Sequence, residues 1–255
     1  MVRLLTFLLA LALLTPASAV ASDWEERLSV ALADGWETRV DTWTRLQSQQ
    51  PRRTRAGTLR FMGSEYNSPE TLPLALARLA RGEDPEPVRA ALADVVARFS
   101  DEWGDALVEL LAEETGASVR SVLVYGLRRV DADSAAAGFT LALHDLDPTV
   151  RAEAARVAAK RPDGASVAPD LAALLGDEDA SVRAAVASTL GTLGVTESAS
   201  ALVPMLTDAD PAVRLHSLRA LDRIDATLLS APTLRTLTAD PDQRVSRAAD
   251  KLLRR

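Results

Sequence analysis

Pairs of aspartates recur along the chain and are the residues best suited to chemistry in this sequence. Carboxylate oxygens are the ligands that calcium prefers, so calcium binding is one interpretation of these pairs. An EF-hand loop also needs a glycine and a distal glutamate, and neither follows the pairs. Aspartates also cap helices and pair with arginine, and we favour this structural interpretation. The pairs occur in four copies of the pattern D-x-D-x-x-V, which are Asp145, Asp147, Val150; Asp177, Asp179, Val182; Asp208, Asp210, Val213; and Asp240, Asp242, Val245.

An arginine follows the repeated valine in five of six copies of a longer pattern, and a serine replaces it in the last. Asp147 and Arg151 lie four residues apart at a helix start, and an isolated pair at that spacing contributes only about 0.3–0.5 kcal/mol. Stacked repeats would instead align the arginines in one row that links each unit to the next. We therefore predict a structural role for the arginines. The six valines are Val88, Val119, Val150, Val182, Val213 and Val245, with spacings of 31, 31, 32, 31 and 32 residues.

Groups that serve catalysis are scarce in this sequence. The chain has two histidines and no cysteine, which excludes thiolate metal sites, cysteine nucleophiles and disulfides. His144 and His216 fall in separate repeats, with no serine motif or third partner near either. We expect His216 to be exposed, because other repeats have Ala, Val or Glu at that position. The sequence therefore predicts a non-enzymatic protein with no catalytic residue, metal site or cofactor.

The composition predicts an acidic, all-α protein. The 255 residues include 29 Lys and Arg against 36 Asp and Glu, a formal net charge of −7. This acidic balance disfavours a nucleic-acid partner, whose phosphates require a basic surface. Hydrophobic residues make up 47% of the chain but aromatic residues only 4%, so the core must consist of Ala, Leu and Val. Ala and Leu favour helix over strand.

Each copy of the pattern predicts a pair of helices. Asp147 and Asp210 are followed by proline, and Asp-Pro is typical of a helix cap and the first helical residue. The first helix of each unit starts there, and in the copy that contains Val182 it ends at Gly191 and Gly194. A second, leucine-rich helix follows in each copy. A helix pair of this size cannot bury its own apolar faces, so the units must stack on one another.

These residues resemble the short HEAT-like repeats of the phycobilin-lyase type, which have a Leu-rich helix, an acidic D-x-D-P turn and a V-R helix start. The resemblance covers residues 51–255. It implies a HEAT-like α-solenoid, a right-handed α-α superhelix of about six or seven antiparallel helix pairs. The family's repeats serve as scaffolds in proteins of very different roles. Its hydroxylase branch uses His-Glu metal pairs, and no His-Glu dipeptide occurs here.

The first 19 residues predict export from the cytoplasm. Arg3 precedes an apolar run that ends before Pro16, and residues 17–19 form an A-x-A cleavage site. A second frame, at residues 19–21, would move the cut by two residues. The apolar run 4–14 is shorter than the roughly 20 residues that span a bilayer, so we expect no stable membrane insertion after cleavage. The mature protein is therefore expected in the periplasm or outside the cell.

The repeat becomes irregular toward the N-terminus. A divergent unit is expected at 51–82. Before it, two runs at helical spacing suggest two helices broken at Asp34 and Gly35, namely Trp24, Leu28, Leu32 and Trp36, Val40, Trp43. We interpret the tryptophan segment as a helical cap over the open end of the stack. The predicted domains are a signal peptide at 1–19, an N-terminal helical cap at 20–50 and a HEAT-like repeat solenoid at 51–255.

One second helix, predicted at 101–113 with Ser100 as its cap, has a feature that the repeat does not require. Trp103 stands where other repeats have Ala, Val or Ser, and acidic residues around it form one stripe at helical spacing. An aromatic anchor beside aligned carboxylates favours a basic protein partner. The alternative is that Trp103 packs on the neighbouring unit and that the stripe is a solvated face. The predicted partner site comprises Glu102, Trp103, Asp105, Glu109 and Glu113.

The repeat and the scarcity of catalytic groups favour a protein-binding scaffold or adaptor of the periplasm or extracellular space. We expect stacked second helices to form the surface that holds the protein partner. The alternative is a lyase-like or small-molecule-binding enzyme subunit with its site in a groove. A cavity lined by convergent polar groups would favour that alternative, whereas an extended open surface favours the scaffold.

Overall fold

A computed structural model describes residues 72–254, which form twelve α-helices joined by short turns. Within these residues there is no strand, and no helix is both long and apolar enough to cross a membrane. The predicted signal peptide and N-terminal cap lie outside the described residues. The helices are α1 (Leu72–Arg81), α2 (Glu86–Phe99), α3 (Gly104–Glu113), α4 (Ala117–Gly126), α5 (Ala132–Ala142), α6 (Pro148–Ala158), α7 (Ala168–Ala173), α8 (Ala180–Leu193), α9 (Ala199–Leu202), α10 (Pro211–Ile224), α11 (Ala231–Thr238) and α12 (Gln243–Leu253).

First and second helices alternate along the chain, as the repeat predicts. The first helices, which begin at the V-R element, are α2, α4, α6, α8, α10 and α12, and the others are the second helices. Successive first helices pack side by side, with the largest contact between α8 and α10. Residues 72–254 therefore form an α-solenoid, which confirms the predicted fold class for this part of the chain.

The second aspartate of each D-x-D pair caps a first helix, as the sequence predicts. The Asp147 carboxylate accepts a hydrogen bond from the backbone N–H of Thr149 at 2.8 Å, which satisfies a donor that the helix itself leaves unpaired. Two of the capped helices, α6 and α10, also have proline in their first turn, where the missing N–H costs little. The other three caps are Asp179, Asp210 and Asp242.

The repeated valine forms the centre of the core. Its side chain is 0% exposed in all five copies for which it is described, and fully buried leucines such as Leu190 and Leu218 accompany it. Because every repeat buries the same positions, one apolar core continues along the stack. The five valines are Val119, Val150, Val182, Val213 and Val245.

The two glycines predicted to end α8 have different functions. Gly194 ends the helix in the left-handed conformation, at φ 67°, and its N–H donates to the Leu190 carbonyl oxygen at 3.0 Å. Gly191 lies inside α8 and is buried, so the prediction that it ends the helix is wrong. A Cβ at Gly191 would lie 2.6 Å from the Ala220 Cβ, which shows that glycine allows α8 and α10 to approach closely.

Two second helices are shorter than the leucine pattern predicts. α7 and α9 have six and four residues, and each is followed by a 3₁₀ turn, at Leu174–Gly176 and Pro204–Thr207. The turns still bury Leu175 and Leu206, the last leucines of the pattern. A tighter final turn thus satisfies the apolar pattern without a continuous α-helix.

Replacing Leu190 by alanine should lower the free energy of unfolding by about 2–5 kcal/mol, because the fully buried side chain leaves a cavity. Glu153→Ala is the control and should change it by less than about 0.5 kcal/mol. Its carboxylate forms only a weak pair with Arg156, at 3.4 Å on the same helix. Urea unfolding followed by circular dichroism measures both values, and equal effects would contradict the assignment of the buried helix face.

Candidate functional site

The arginine after the repeated valine binds a carboxylate of the next repeat. Arg151 donates from Nε and Nη2 to the two oxygens of Asp177, at 2.8 and 2.9 Å. Its Nη1 donates to the backbone carbonyl oxygens of Asp145 and Leu146, at 2.8 and 3.1 Å. One guanidinium therefore joins the turn before its own helix to the turn of the next repeat. We call this series the arginine ladder, and its other pairs are Arg89–Glu114, Arg120–Asp145, Arg183–Asp208 and Arg214–Asp240.

The two aspartates of each D-x-D pair therefore have different functions. The first, Asp177 in the copy at α8, binds the ladder arginine and also accepts the backbone N–H of Asp179 at 2.9 Å. The second, Asp179, caps the helix. Protein groups thus use both carboxylates. Among residues 72–254, no group of three or more side chains could hold a metal ion.

The ladder confirms that the arginines link each unit to the next. The local pairing of Asp147 with Arg151, considered from their spacing, is wrong. Arg151 instead reaches Asp177, 26 residues away, while the Asp147 carboxylate caps α6. The cap holds Asp147 at the helix start, and the extended arginine side chain points along the stack to the next turn.

The ladder pairs are shielded from solvent and ionised. The side chains of Arg151 and Asp177 are 10% and 5% exposed. Burial raises the pKa of the Asp177 carboxyl, but hydrogen bonds from Arg151 and from the Asp179 N–H lower it more, so its pKa lies below the ordinary value. In Asp208 and Asp240 the hydrogen bond from the ladder arginine is the largest cause, and the pKa is again lowered.

The predicted helix at 101–113 starts later than expected. Ser100–Glu102 form a 3₁₀ turn, Trp103 occupies the cap position of α3, and the helix begins at Gly104. The prediction that Ser100 caps this helix is wrong. Ser100 is buried, and its hydroxyl lies 3.5 Å from the backbone oxygen of Gly126, so it bonds toward the first helix α4 instead.

The predicted partner-site residues lie together at α3 and the turn before it. Glu102, Glu109 and Glu113 are exposed, whereas Trp103 and Asp105 are half-buried. All of these residues except Glu113 have further interactions within the protein. Binding of a basic partner at this stripe stays a prediction.

The two histidines lie on different helix pairs. His144 is exposed, and its Nδ1 lies 3.0 Å from the carbonyl oxygen of Thr140. His216 is half-buried, so the expectation of an exposed position is wrong. Its place on α10, between neighbouring first helices, explains the burial, which is the largest cause of its lowered pKa.

A small pocket lies beside the first pair of the ladder. Its volume is about 170 Å³, and Leu79, Leu110 and Leu123 line it together with Arg89 and Glu114. Sites for drug-sized ligands usually measure about 300–1,000 Å³. The pocket is therefore small for a cofactor, and two of its charged groups, Arg89 and Glu114, already bind each other.

Net charge does not reveal a row of cations that lies on the first helices and in the turns directly after two of them. The spacing was the available signal, because these residues recur six or ten positions after the repeated valine. All of their side chains are exposed. We call this set the basic row, and its members are Arg98, Arg129, Arg156, Lys160, Arg219, Arg223 and Lys251.

The family model of HEAT repeats matches residues 136–222 and 171–254 of this chain. Among solved structures, the YibA protein of Escherichia coli is similar, with 17% identity over 94% of this chain and 100% of that chain and a TM-score of 0.55. No curated protein matches the sequence.

Designed armadillo repeat proteins are also similar in fold. One, designed for modular peptide recognition, has 18% identity over 72% of this chain and 98% of that chain, with a TM-score of 0.52. Another, in complex with the peptide (KR)4, has 18% identity, the same coverage and a TM-score of 0.50. At these identities the likeness concerns the fold alone.

Replacing Arg151 by lysine should lower the free energy of unfolding by about 2 kcal/mol, because an ammonium cannot bind the carboxylate and both carbonyls in one plane. The unfolding transition should also broaden, since the repeats on either side lose part of their coupling. Arg156→Lys, at an exposed pair on the same helix, is the matched control. Urea unfolding measures both, and an unchanged transition in Arg151→Lys would contradict the proposed linkage.

Acid should weaken the stack through the same pairs. The ladder carboxyls have pKa values below their ordinary range, so their stabilisation is complete above the unfolded value of about 3.9 for aspartate and is lost as the pH falls through the folded values. Urea unfolding between about pH 7 and pH 2.5 tests this. In Arg151→Gln, Asp177 loses the hydrogen bond that lowers its pKa most, so the free energy of unfolding should already be lower at pH 7 and should fall less between pH 7 and pH 2.5 than in the unmodified chain. An identical pH profile would contradict this account.

Proposed function

The chain is a HEAT-like repeat protein, and from this premise we propose that it is a non-catalytic scaffold that binds another protein in the periplasm or outside the cell. Stacked helix pairs present an extended surface rather than an enclosed site, and repeat proteins bind partners on such surfaces. The designed armadillo protein in complex with the peptide (KR)4 is a case in which a similar fold binds a peptide.

The observation that carries this proposal is the contrast between constant and varied positions of the repeat. The valine, the arginine and the acidic residue of the ladder recur because the fold uses them. The position six residues after the valine is half-buried or exposed in every described repeat, and its residue type changes. A surface that changes from one repeat to the next can recognise successive parts of one partner. These residues are Asp94, Tyr125, Arg156, Ser188, Arg219 and Lys251.

We place the partner on the first helices. These helices have 10 to 14 residues throughout, whereas the second helices shorten from 10 or 11 residues in α1, α3 and α5 to six and four in α7 and α9. From α7 onward the first helices therefore offer the more continuous surface. This differs from the expectation that stacked second helices hold the partner, although the acidic stripe on α3 remains a second candidate surface.

Export through residues 1–19 is part of the proposal. The charged start, short apolar run and A-x-A site are typical of a signal peptide. A chain without cysteine also cannot form incorrect disulfides in an oxidising compartment.

We propose no catalytic step for this chain. The ladder carboxylates and guanidiniums bind one another, and within residues 72–254 neither His144 nor His216 belongs to a cluster of side chains that could hold a metal ion. The repeated charges are thus accounted for by the fold.

The experiment combines cell fractionation with affinity purification from the organism that encodes the protein. A C-terminally tagged full chain should be recovered from the periplasm or medium after cleavage near residue 19 or 21, and one protein should co-purify in stoichiometric amount. Trp103→Ala and the pair Asp105→Asn with Glu109→Gln, compared at matched stability, test the acidic stripe. Loss of the partner in these variants would assign binding to α3.

Two results would contradict the proposed function. Recovery of the uncleaved chain from the cytoplasm would contradict export. Co-purification of a small molecule with no protein would favour the enzyme-subunit alternative over the scaffold.

A further inference from the structure

A positive surface accompanies the first helices, although the whole chain is acidic. Five members of the basic row lie on first helices, and Arg129 and Lys160 lie shortly after α4 and α6. Exposed carboxylates such as Glu113, Asp133 and Asp170 lie on second helices. Three members of the row are paired with carboxylates, namely Arg98 with Asp94 at 3.0 Å, Arg129 with Asp101 at 2.8 Å and Arg156 with Glu153 at 3.4 Å. The other four members form no ion pair with a described carboxylate, and they are Lys160, Arg219, Arg223 and Lys251. The first helices therefore present a positive surface on an acidic protein.

The most developed part of this surface is a cluster around Tyr125 on α4. The Arg128 guanidinium carbon lies 4.4 Å from the centroid of the Tyr125 ring, and the Lys160 Nζ, from the next repeat, lies 4.8 Å from it. Cations are attracted to aromatic faces, so one ring holds two positive groups close together. These two groups repel each other, and an incoming anion would relieve that repulsion.

The cations of this cluster are available to a ligand. Among residues 72–254, neither Arg128 nor Lys160 forms an ion pair with a carboxylate, and the Nε of Arg128 is buried without a hydrogen-bond partner. An unpaired buried donor is costly, and a carboxylate that pairs with the half-buried Arg128 guanidinium would offset part of that cost. Arg128 and Lys160 lie just after the C-terminal ends of α4 and α6, where positive charge also complements the helix dipoles. This stabilises the helices without any ligand.

A second positive region lies on α10, three first helices further along. Arg219 and Arg223 are exposed there, and neither forms an ion pair with a carboxylate of the described residues. Burial is the largest cause that lowers the pKa of His216, and the positive charges of Arg219, Arg244 and Arg223 lower it further. The electrostatic potential at His216 is therefore positive. Two cationic regions thus lie along one helix row, separated by the uncharged Thr192 of α8.

We propose that the first helices dock an extended acidic segment of a partner protein, with its carboxylates at Tyr125, Arg128 and Lys160 and at Arg219 and Arg223. This inference rests on the proposed scaffold function and names the chemistry of the partner. Three helix spacings of about 10 Å separate α4 from α10, a distance that about nine extended residues span. An extended acidic chain therefore fits the separation of the two regions.

The test measures binding of a fluorescein-labelled nine-glutamate peptide to the full chain by fluorescence anisotropy. The peptide should bind, and binding should weaken when salt rises from about 20 to 150 mM. Arg128→Gln with Lys160→Gln should weaken the affinity by about tenfold, as should Arg219→Gln with Arg223→Gln. The second pair keeps the test valid if the first impairs folding. Arg81→Gln with Arg235→Gln, at exposed positions on second helices, is the charge-matched control and should bind like the unmodified chain.

Four results of the peptide assay would overturn the inference. These are no binding by the unmodified chain, equal weakening in the control pair, equal affinity for a nine-lysine peptide, and displacement of the peptide by tripolyphosphate at equal charge concentration. The last outcome would indicate a general anion site. A protein partner that co-purifies equally with the unmodified chain, with Arg128→Gln/Lys160→Gln and with Arg219→Gln/Arg223→Gln would refute this inference and leave the scaffold function intact. No protein partner for any of them would refute the scaffold function itself.

Discussion

The structure depends on where the hydrogen-bond donors of one arginine per repeat are directed. Arg151 donates twice to a carboxylate of the next repeat and twice to carbonyl oxygens of its own turn. The planar guanidinium is the side chain suited to both tasks, because its donors are fixed in one plane. A helix pair that cannot fold alone is thereby joined to its neighbour by polar contacts at the turns and by apolar contacts in the core.

This arrangement separates the residues that hold the stack from those available for recognition. The ladder occupies the turns, and the repeated valine occupies the core. The exposed positions of the first helices make no contact that recurs in every repeat, so their residue types can differ. Tyr125, Ser188 and Lys251 occupy the same position in three repeats. The net charge does not show what this surface presents, because a formal charge of −7 coexists with a basic row on the first helices and in the turns after α4 and α6.

Features that recur with the repeat could be predicted from the sequence. Features that depend on which of several possible partners a side chain binds could not. The phase of the repeat, the aspartate caps and the left-handed Gly194 follow from spacing and residue type. The start of α3 does not, because Ser100 bonds toward Gly126 instead of capping the helix. The function of Gly191 depends on its distance to Ala220 in another repeat, which local patterns do not contain. The cluster at Tyr125 likewise joins residues 35 apart in the chain, so only its individual charges were visible in the sequence.

A double-mutant cycle tests most directly the claim that arginine couples one repeat to the next. Arg183 lies four residues from Asp179 in sequence but binds Asp208 of the following repeat, at 2.8 Å. The free energy of unfolding is measured for the single and double alanine variants of each pair. The account predicts a coupling energy of at least about 1.5 kcal/mol for Arg183 with Asp208 and about zero for Arg183 with Asp179. A larger coupling with Asp179 than with Asp208 would contradict it.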